Sequence, residues 1–521
     1  MFFIMCLLFS FVHTNMYAQE AIHSDTNLRY DFQALNGDIN RPYLNYKTLS
    51  DSEWDGIEQW KYYGPELFTS YNSSAPYGMN DGALWQGRGL NTSLTGGIRY
   101  NAYGIEATFK PQITFSQNAD FKIMPSGYSS PYGYIWAYGT DAGADAPQRF
   151  GDEALYGYSW GDSELRYTWK NATIGFGTQS PWLGPGRINA IMHSNNAPPY
   201  PKLDLGLRRT ELSLWGWYAG DIEARLWAGY LSESDYFDNN PDNNHNLISA
   251  LSLAYAPSFL PGLTLAANRS YLAPWEAESA ASLGSLFFVN LDQGGAQDVW
   301  DQRASLSASY LLPSAGIEIY GELGINDYGP SFFGYLRYPF HSMVYLGGLR
   351  KTFEFKKYPE VRGELLFEWC NLELSQDFQF QWPATFYMHH QMVQGYTNDG
   401  QWLGAGIGTG GNSQFLGYKL YHEKGSSEVF IQRTNPDNDF LYRLTIMDEN
   451  SSYISRNKDF RTDTAFRFKT RYYFSNQISI NTGLILLLIQ NRLYDSVGCQ
   501  KQTMNMALEL RPALNILYEK Y

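Results

Sequence analysis

Two short motifs in the chain have side chains that could carry out catalysis or hold a metal. In Gly161-Asp162-Ser163-Glu164 the serine could act as a nucleophile, and His389 with His390 could coordinate a metal. A nucleophilic serine of this kind should follow a buried strand and open into a helix, whereas Ser163 leads into a charged amphipathic strand. The histidines have no partner at a recognisable metal-ligand spacing. Because no other catalytic motif occurs, we predict that the protein is not an enzyme and has no metal site or cofactor.

A different chemistry is indicated by segments in which aromatic side chains stand beside Asn, Gln and Arg. Sugar rings stack their apolar faces on Trp and Tyr, while their hydroxyls form hydrogen bonds with amide, carboxylate and guanidinium groups. Residues 72–89 and 182–201 have this composition. The alternative is that these side chains only brace loops and fill the space around them. The candidate polysaccharide-binding residues are Trp85, Gln86, Arg88, Trp182, Asn195, Asn196 and Tyr200.

Much of the remaining chain alternates between apolar and polar residues with the period of a β-strand. Leu165, Tyr167 and Trp169 alternate with polar residues, and after a short connection Ile174 and Phe176 continue the pattern. This alternation predicts a hairpin with one apolar face. The same pattern predicts a strand at 222–230, a hairpin at 249–268, and a strand at 105–116 that contains Pro111 and whose Glu106 and Lys110 share the polar face.

Composition indicates what covers the apolar faces. The 521 residues include 41 Tyr, 31 Phe and 15 Trp, more aromatic residues than a soluble core needs but in keeping with the aromatic girdles of a membrane barrel. A mean hydropathy of −0.38 is too polar for a helical membrane protein and suits a barrel with a polar lumen. The net charge of −14 excludes a nucleic-acid binder that depends on generic phosphate contacts. A large extracellular β-sandwich or propeller is the alternative at this point.

The chain divides into three predicted parts. Residues 1–18 are predicted to be a secretory signal peptide, since they contain an apolar run at 2–12 and end at the small residue Ala18. Residues 19–88 lack the strand alternation and are predicted to form an N-terminal periplasmic or plug segment, with a short helix opened by a capping box from Ser50 to Glu53. Residues 89–521 are predicted to form the barrel. No pairing can be inferred for Cys370 and Cys499, the cysteines outside the signal segment.

Connection lengths support a barrel. Short turns alternate with long polar connections such as 120–162, 235–246, 273–302 and 371–411, as in outer-membrane barrels, which place short turns in the periplasm and long loops outside. At roughly 24 residues per strand and connection, the chain has room for about 18 strands, within a range of about 16 to 18. The predicted fold is therefore all-β, a transmembrane antiparallel β-barrel that contacts outer-membrane lipid and is inserted by the barrel assembly machinery.

Three motifs resemble the capsule assembly protein Wzi family. They are Asn80-Asp81-Gly82-Ala83-Leu84-Trp85-Gln86-Gly87-Arg88-Gly89, Trp182-Leu183-Gly184-Pro185-Gly186 and Ser194-Asn195-Asn196-Ala197-Pro198-Pro199-Tyr200-Pro201. The resemblance spans Arg41 to about Pro201, and the rest of the chain has a compatible strand pattern. It implies an outer-membrane barrel of about 18 strands with a helical periplasmic segment, which acts as a lectin and helps to retain capsular polysaccharide on the cell surface. It assigns no individual ligand-binding residue.

Taken together, these features predict an outer-membrane barrel that binds capsular polysaccharide or exopolysaccharide without catalysis. The N-terminal segment and the long loops are expected to narrow its lumen. The alternative from another class is an outer-membrane porin or transport channel for small solutes, and a soluble β-rich secreted enzyme is a third reading. No nucleic acid is expected as a partner.

Overall fold

The structure is a computed structural model that describes most of the chain from residue 31 onward. The predicted signal peptide, Glu53, His390 and Cys499 lie outside the described residues. Side chains are described throughout except for Ser475 and the last range. The described residues are 31–52, 59–126, 130–134, 143–238, 240–287, 300–326, 336–337, 342–374, 385–389, 391–441, 459–475, 478–494 and 506–518.

Nearly all regular structure is strand, and 20 strands form one sheet. Two further strands, β16 (Thr397–Asn398) and β17 (Gln401–Trp402), make a small separate hairpin. The strands of the large sheet are β1 (Gln59–Asn72), β2 (Gly89–Ala102), β3 (Ile105–Phe109), β4 (Gln112–Ser116), β5 (Leu155–Ser159), β6 (Glu164–Trp169), β7 (Ala172–Gly177), β8 (Lys202–Leu214), β9 (Trp217–Ser232), β10 (His245–Pro257), β11 (Leu263–Pro274), β12 (Asp301–Leu312), β13 (Ile317–Asn326), β14 (Met343–Phe355), β15 (Tyr358–Asn371), β18 (Asn412–His422), β19 (Gly425–Asn435), β20 (Thr462–Ser475), β21 (Ile478–Gln490) and β22 (Met506–Tyr518).

The sheet closes on itself. Apart from β3 to β6, each strand of the large sheet pairs antiparallel with the strands before and after it, and the last described strand, β22, pairs with β1, where Leu67 lies opposite Ile516. The short strands β3 and β4 together fill one position in the ring, and so do β5 and β6. The 20 described strands therefore form a ring of 18 positions, which confirms the predicted barrel of about 18 strands.

The two faces of the strands differ as the alternation predicts. On β6 the side chains of Leu165, Tyr167 and Trp169 point outward and are 60%, 48% and 64% exposed, whereas Glu164 and Arg166 are buried in the lumen. The partner strand β7 repeats the arrangement with its apolar side chains outside. An apolar outer face and a polar inner face are what a lipid-embedded barrel requires.

The predicted strand at 105–116 is interrupted. It forms β3 and β4, with Lys110 and Pro111 between them, because proline has no N–H to donate to the strand ladder. The apolar residues still face outward on both sides of the break. Glu106 and Lys110 both form ion pairs, but not with each other: Glu106 pairs with Arg208 at 2.6 Å, and the Lys110 ammonium pairs with a loop carboxylate.

Turn lengths define the two ends of the barrel. Connections of two to five residues, such as 103–104, 170–171, 215–216 and 258–262, lie at one end, and the long loops lie at the other. Outer-membrane barrels place the short turns in the periplasm and the long loops outside. One short turn is a 3-10 turn, Pro313–Ala315, followed by Gly316 at φ 60°. The long loop after β11 contains another 3-10 turn, Glu278–Ala281, and the short helix α2, Ser282–Ser285.

The lumen is occupied by two segments, residues 31–52 and 178–201, which we call the plug. Residues 31–52 precede β1 and therefore enter from the short-turn end, whereas 178–201 connects β7 to β8 at the long-loop end. Residues 31–35 are helical, and a second helical turn, α1, spans Leu49–Ser52. The two segments meet where Lys47 and Trp182 exchange backbone hydrogen bonds of 3.1 and 2.8 Å.

The barrel begins earlier in the chain than predicted. Strand β1 starts at Gln59, inside the stretch 19–88 that was expected to lie outside the barrel. A register shift between Tyr63 and Glu66 moves the outward set from Trp60 and Tyr62 to Leu67 and Tyr71, which breaks the period-two pattern. Most of the helix predicted to open at Ser50–Glu53 falls on residues 53–58, outside the described residues, and the turn α1 ends before them at Ser52. Within the described residues, no helix has the length and apolar character needed to cross a bilayer.

Candidate functional site

The first plug segment is held by a wall carboxylate. Glu223 points inward from β9 and accepts hydrogen bonds from the backbone N–H groups of Leu44, Asn45 and Tyr46 at 2.7, 2.9 and 2.7 Å. A carboxylate that accepts three buried N–H donors fixes the path of that chain because each donor would otherwise lack a partner. Residues 44–46 are therefore anchored to the wall.

The second plug segment is held in the same way. Glu368 points inward from β15 and accepts from the backbone N–H groups of Arg187, Ile188 and Asn189 at 2.6, 3.1 and 2.8 Å. The hydroxyl of Tyr320 donates to the same carboxylate at 2.9 Å. Both plug segments are thus attached to the barrel through carboxylates whose donors are mostly backbone groups.

Buried ion pairs fill the space between the plug and the wall. Arg225 bridges Asp204 on β8 and Asp51 in the plug at 2.8 and 2.7 Å. Arg350 bridges Glu318 and Glu364, and Glu318 also binds Arg41 of the plug at 2.7 Å. Charges buried in this way persist because each has an opposite charge beside it. The described ion pairs between the plug and this part of the wall are therefore charge-matched.

Open space lies instead beneath the long loops. Three pockets of about 180, 250 and 260 Å³ surround residues 73–88, which connect β1 to β2 and which we call the first outer loop. We call these three the outer pockets. Adjacent pockets share lining residues, and Trp85 borders two of them. The outer pockets lie at the long-loop end of the barrel, which outer-membrane barrels direct to the cell exterior.

Aromatic rings and polar groups meet in the outer pockets. Trp85 is half-buried, and its ring lies 5.0 Å from that of Phe150. Trp402 and Tyr134 pack edge to face at 5.6 Å in a neighbouring pocket. The polar groups are amides and an ion pair, with Arg461 bound to a carboxylate at 2.7 Å. The polar residues that line the 250 Å³ pocket are Asp81, Gln86, Asn196, Gln401, Gln432, Thr434, Arg461 and Asp463.

The predicted binding residues divide into two groups. Trp85, Gln86 and Asn196 line the outer pockets, although both amides are largely buried and hydrogen-bonded, with Asn196 donating to the Trp402 carbonyl at 3.0 Å. Arg88 is half-buried, and its guanidinium donates to the backbone carbonyls of Ser73 in its own loop and Asp120 in the next. Asn195 borders a different space, a cavity inside the lumen.

Trp182 and Tyr200 are buried in the plug. Trp182 is 1% exposed and its indole N–H donates to the Gly186 carbonyl at 3.0 Å. The Tyr200 hydroxyl is hydrogen-bonded to His193 Nε2 at 2.9 Å and accepts from the Trp227 indole. Burial lowers the pKa of His193 to about 3, so that its ring is neutral. Neither predicted residue presents a ring face to a ligand, and for these two the structure corrects the prediction.

Several pocket residues were not predicted. Trp402 and Gln401 belong to the small hairpin β16–β17, and Arg461 precedes β20, far along the chain from Trp85. Composition could have indicated Gln401 and Trp402, because 371–411 is an aromatic-rich connection like 72–89 and 182–201, from which the candidate residues were chosen.

Ser163 and His389, from the two short motifs that could have carried out catalysis or held a metal, have structural roles. Ser163 accepts from the Lys110 N–H, and His389 accepts from the Met392 N–H. Among the described side chains, no group of three or more potential ligands is placed to hold a metal.

Burial disturbs two carboxyl groups of the outer loops: Glu233 borders the smallest outer pocket, and Asp145 accepts hydrogen bonds from Ser234, which borders the same pocket. Burial raises the pKa of Asp145 to about 7, against the opposing effect of hydrogen bonds from Ser234 to its oxygens. Burial also raises the pKa of Glu233, to about 9, and the negative charges of Asp238 and Asp145 add to the effect. The folded loops therefore favour the protonated forms of these two carboxyl groups.

This preference predicts that the outer loops loosen as the pH rises. The contribution of Asp145 to stability should be complete below its ordinary pKa of 3.8 and should disappear as the pH passes about 7, because the ionised form is favoured in the open state. Hydrogen-exchange protection of residues 143–150, corrected for intrinsic exchange rates, should fall across this range. In the Asp145→Asn variant, this protection should depend much less on pH. If protection in the unaltered protein does not change with pH, the raised pKa of Asp145 is contradicted.

The fold and the site together define a class of protein. The closed ring, the apolar outer face and the filled polar lumen are those of a plugged transmembrane β-barrel of the outer membrane. The chain belongs to the capsule assembly protein Wzi family, whose model matches residues 132–486. The resemblance noted in the sequence is thus confirmed. The match reaches far beyond Pro201 into the barrel and begins after the motif at 80–89.

A solved structure has the same fold. It is Wzi of Escherichia coli, which is described as an outer membrane protein involved in group 1 capsule assembly and as a carbohydrate binding β-barrel. Its sequence is 12% identical to this chain and its TM-score is 0.59. The match covers 96% of this chain and 100% of that one. OccAB4 of Acinetobacter baumannii is 10% identical with a TM-score of 0.40, covering 90% of this chain and 100% of that one. A search of curated proteins gave no match.

Proposed function

We propose that the protein binds capsular polysaccharide or exopolysaccharide at the extracellular end of the barrel and retains it on the cell surface without catalysis. The observation that supports this most strongly is the group of outer pockets, in which the half-buried ring of Trp85 lies beside Gln401 and Asn196. Ring faces beside amide groups match the two surfaces of a sugar. Family membership and the carbohydrate binding named for the E. coli structure support the same function.

The plug supports retention over transport. An open porin needs a continuous aqueous path, whereas here 31–52 and 178–201 enter from opposite ends and are hydrogen-bonded to each other inside the ring. We further propose that the outward apolar side chains contact outer-membrane lipid, that the barrel assembly machinery inserts the barrel, and that residues 1–18 are removed as a signal peptide.

Removal of the Trp85 ring should weaken binding of the host's own capsular polysaccharide. Loss of an aromatic contact at a binding hot spot typically costs at least about 2 kcal/mol, which is about 30-fold in affinity. Titration calorimetry on detergent-purified Trp85→Ala should therefore show a drop of this size, while heat-modifiable migration in gels stays unchanged.

The matched control is Trp217→Ala. Trp217 is 80% exposed at the short-turn end, so the variant loses the same ring at the opposite end of the barrel and should bind as the unaltered protein does. Equal losses in the two variants, or no binding of capsular material by the unaltered protein, would contradict the proposal. Steady conductance together with no binding would favour the porin alternative.

A further inference from the structure

The described barrel wall has an opening in its long-loop half. In the short-turn half, β6, β7 and β8 close the ring, but β7 ends at Gly177 and β8 begins directly opposite it at Lys202. Between these two residues the chain leaves the wall as the plug segment 178–201. The positions of β7 and β8 are therefore not continued toward the long-loop end.

The strands on either side of these positions do reach the long-loop half. β5 lies there beside β4, and among the described residues no strand pairs with its other edge. On the far side, β9 pairs with Lys202 through Gly229 and continues to Ser232. The wall thus opens between β5 and the end of β9, and we call this opening the lateral window.

The smallest outer pocket lies in the lateral window. Its volume is about 180 Å³, and it is lined on one side by residues 155–157 of β5 and on the other by 233–236, which follow β9. Trp85 of the first outer loop lines it as well. At the long-loop end the rings of Phe150 and Tyr236 meet at 5.7 Å. Because this contact bounds the window on that side, the pocket opens through the wall.

Aromatic side chains on the outer face mark the height of the window. Tyr156 of β5 points outward and is 81% exposed, and Tyr158 follows it on the same face. Across the window, Tyr230 of β9 packs edge to face with Trp275 at 4.7 Å. Outer-membrane barrels place such aromatic residues at the two membrane interfaces. Because these rings lie toward the long-loop end, the window opens at the level of the outer lipid head groups.

The edge of β5 that borders the window has unpaired backbone groups. Along this edge, the N–H and C=O groups of 155–159 form no backbone hydrogen bond with any described residue. Contact of such groups with hydrocarbon is costly, because nothing there can accept or donate a hydrogen bond. A sugar hydroxyl can do both, so a saccharide at this edge would satisfy groups that an acyl chain cannot.

The pocket lining favours an uncharged saccharide. The charged residues among its described lining are Glu233, Asp235 and Asp399, with no lysine, arginine or histidine. A phosphate or carboxylate group would find no cation there, whereas sugar hydroxyls can donate to the carboxyl oxygens. The Oε1 atom of Glu233 is buried and has no hydrogen-bond partner among the described residues, so it can accept such a donor.

We propose that the lateral window admits an uncharged glycolipid of the outer leaflet, with its saccharide head in the smallest outer pocket and its acyl chains in the surrounding lipid. A head group that enters from this side does not leave the membrane, because the lipid-facing wall continues on both sides of the window. The proposal rests on the proposed function, since Trp85 belongs to the same pocket. It adds that the saccharide is bound while it is attached to lipid.

Native mass spectrometry of the detergent-purified full chain tests this proposal with three probes. They are digalactosyldiacylglycerol, phosphatidylglycerol with the same acyl chains, and the deacylated digalactosylglycerol head group. The glycolipid should bind at least about tenfold more tightly than either of the others, because it alone combines an uncharged saccharide with acyl chains. Equal or tighter binding of phosphatidylglycerol or of the free head group would overturn the proposal.

Two variants locate the bound glycolipid. Gly157→Leu places a side chain in the pocket beside Thr114, and Tyr156→Ala removes a ring that borders both the pocket and the lipid. Each should lower the affinity for the glycolipid at least about tenfold. Unaltered heat-modifiable migration would show that the variants fold. If Gly157→Leu does not fold, Tyr156→Ala decides the matter, because its side chain is exposed and supports little packing.

The matched controls are Gly321→Leu and Tyr472→Ala. They make the same changes on the outer faces of β13 and β20, away from the window, and should bind the glycolipid as the unaltered protein does. Unchanged affinity in the window variants, or an equal loss in the controls, would overturn the proposal. So would a lipid-free dimer that Tyr156→Ala abolishes, because the edge of β5 would then pair with a second copy of the chain.

Binding of the host's capsular polysaccharide, measured by titration calorimetry on the same preparation, separates this proposal from the proposed function. If the unaltered protein binds the polysaccharide but not the glycolipid, the window proposal alone fails. If it binds neither, the proposed function fails with it.

Discussion

Replacing both Glu223 and Glu368 by alanine is expected to convert a barrel with little or no steady conductance into a conducting one. Each carboxylate accepts three backbone N–H groups of a plug segment. A buried donor left without a partner costs about 1–3 kcal/mol, so the two substitutions together remove several kcal/mol from the attachment of the plug. The measurement is single-channel conductance of the double variant in planar bilayers.

The matched control for the plug prediction is a double variant that loses two exposed carboxylates, Glu211→Ala with Glu354→Ala. Both residues lie near the short-turn end and are exposed. This variant should remain as closed as the unaltered protein. If Glu223→Ala with Glu368→Ala folds, as judged by heat-modifiable migration, and still does not conduct, then other contacts hold the plug and these carboxylates are not its anchors.

Arginine in place of Leu306 should destabilise the barrel by about 2–4 kcal/mol, the cost of a cation on the lipid face near the bilayer midplane. Leu306 is in the middle of β12, is 59% exposed and points outward beside Leu323 of β13. The free energy of unfolding in lipid vesicles, obtained from urea titration, measures this cost directly.

The comparison is Gln112→Arg, which introduces the same side chain on the inner face. Gln112 lines the cavity inside the lumen that Asn195 also borders, where the new guanidinium can remain hydrated. Its cost should be far smaller, about 0.5 kcal/mol as for an ordinary surface substitution. Equal costs at the two positions would mean that the outward face of β12 does not meet lipid.

The parts of the fold that the sequence could predict are those in which side chains alternate strictly. Leu165, Tyr167 and Trp169 all face outward because every second side chain of a strand lies on the same face. Strand β1 could not be predicted in this way, because its register shift changes which residues face outward between Tyr62 and Leu67. Because the alternation of apolar and polar residues changes phase within β1, the sequence there lacks the continuous period-two pattern by which strands are recognised.

The candidate site was predictable only in part. Trp85 was predicted because aromatic residues beside Asn and Gln indicate sugar binding, and it lines two outer pockets, but the same composition occurs around Trp182, which packs inside the plug. Composition does not distinguish a ring that lines a pocket from one that fills a core. Trp402 and Arg461 reach the outer pockets only because closure of the barrel brings distant loops together. Local sequence spacing does not show which loops will meet in this way.

The ion pairs that join the plug to the wall have a consequence for the evolution of the family. Arg41 and Glu318 are 277 positions apart in the chain but form a two-pronged contact of 2.7 and 2.9 Å. Loss of one partner leaves an uncompensated buried charge, so a substitution at either position is tolerated best when the other changes with it. We expect such pairs to covary among relatives. A chimaera that receives the N-terminal segment of a relative should fold well only if it also receives the matching wall residues.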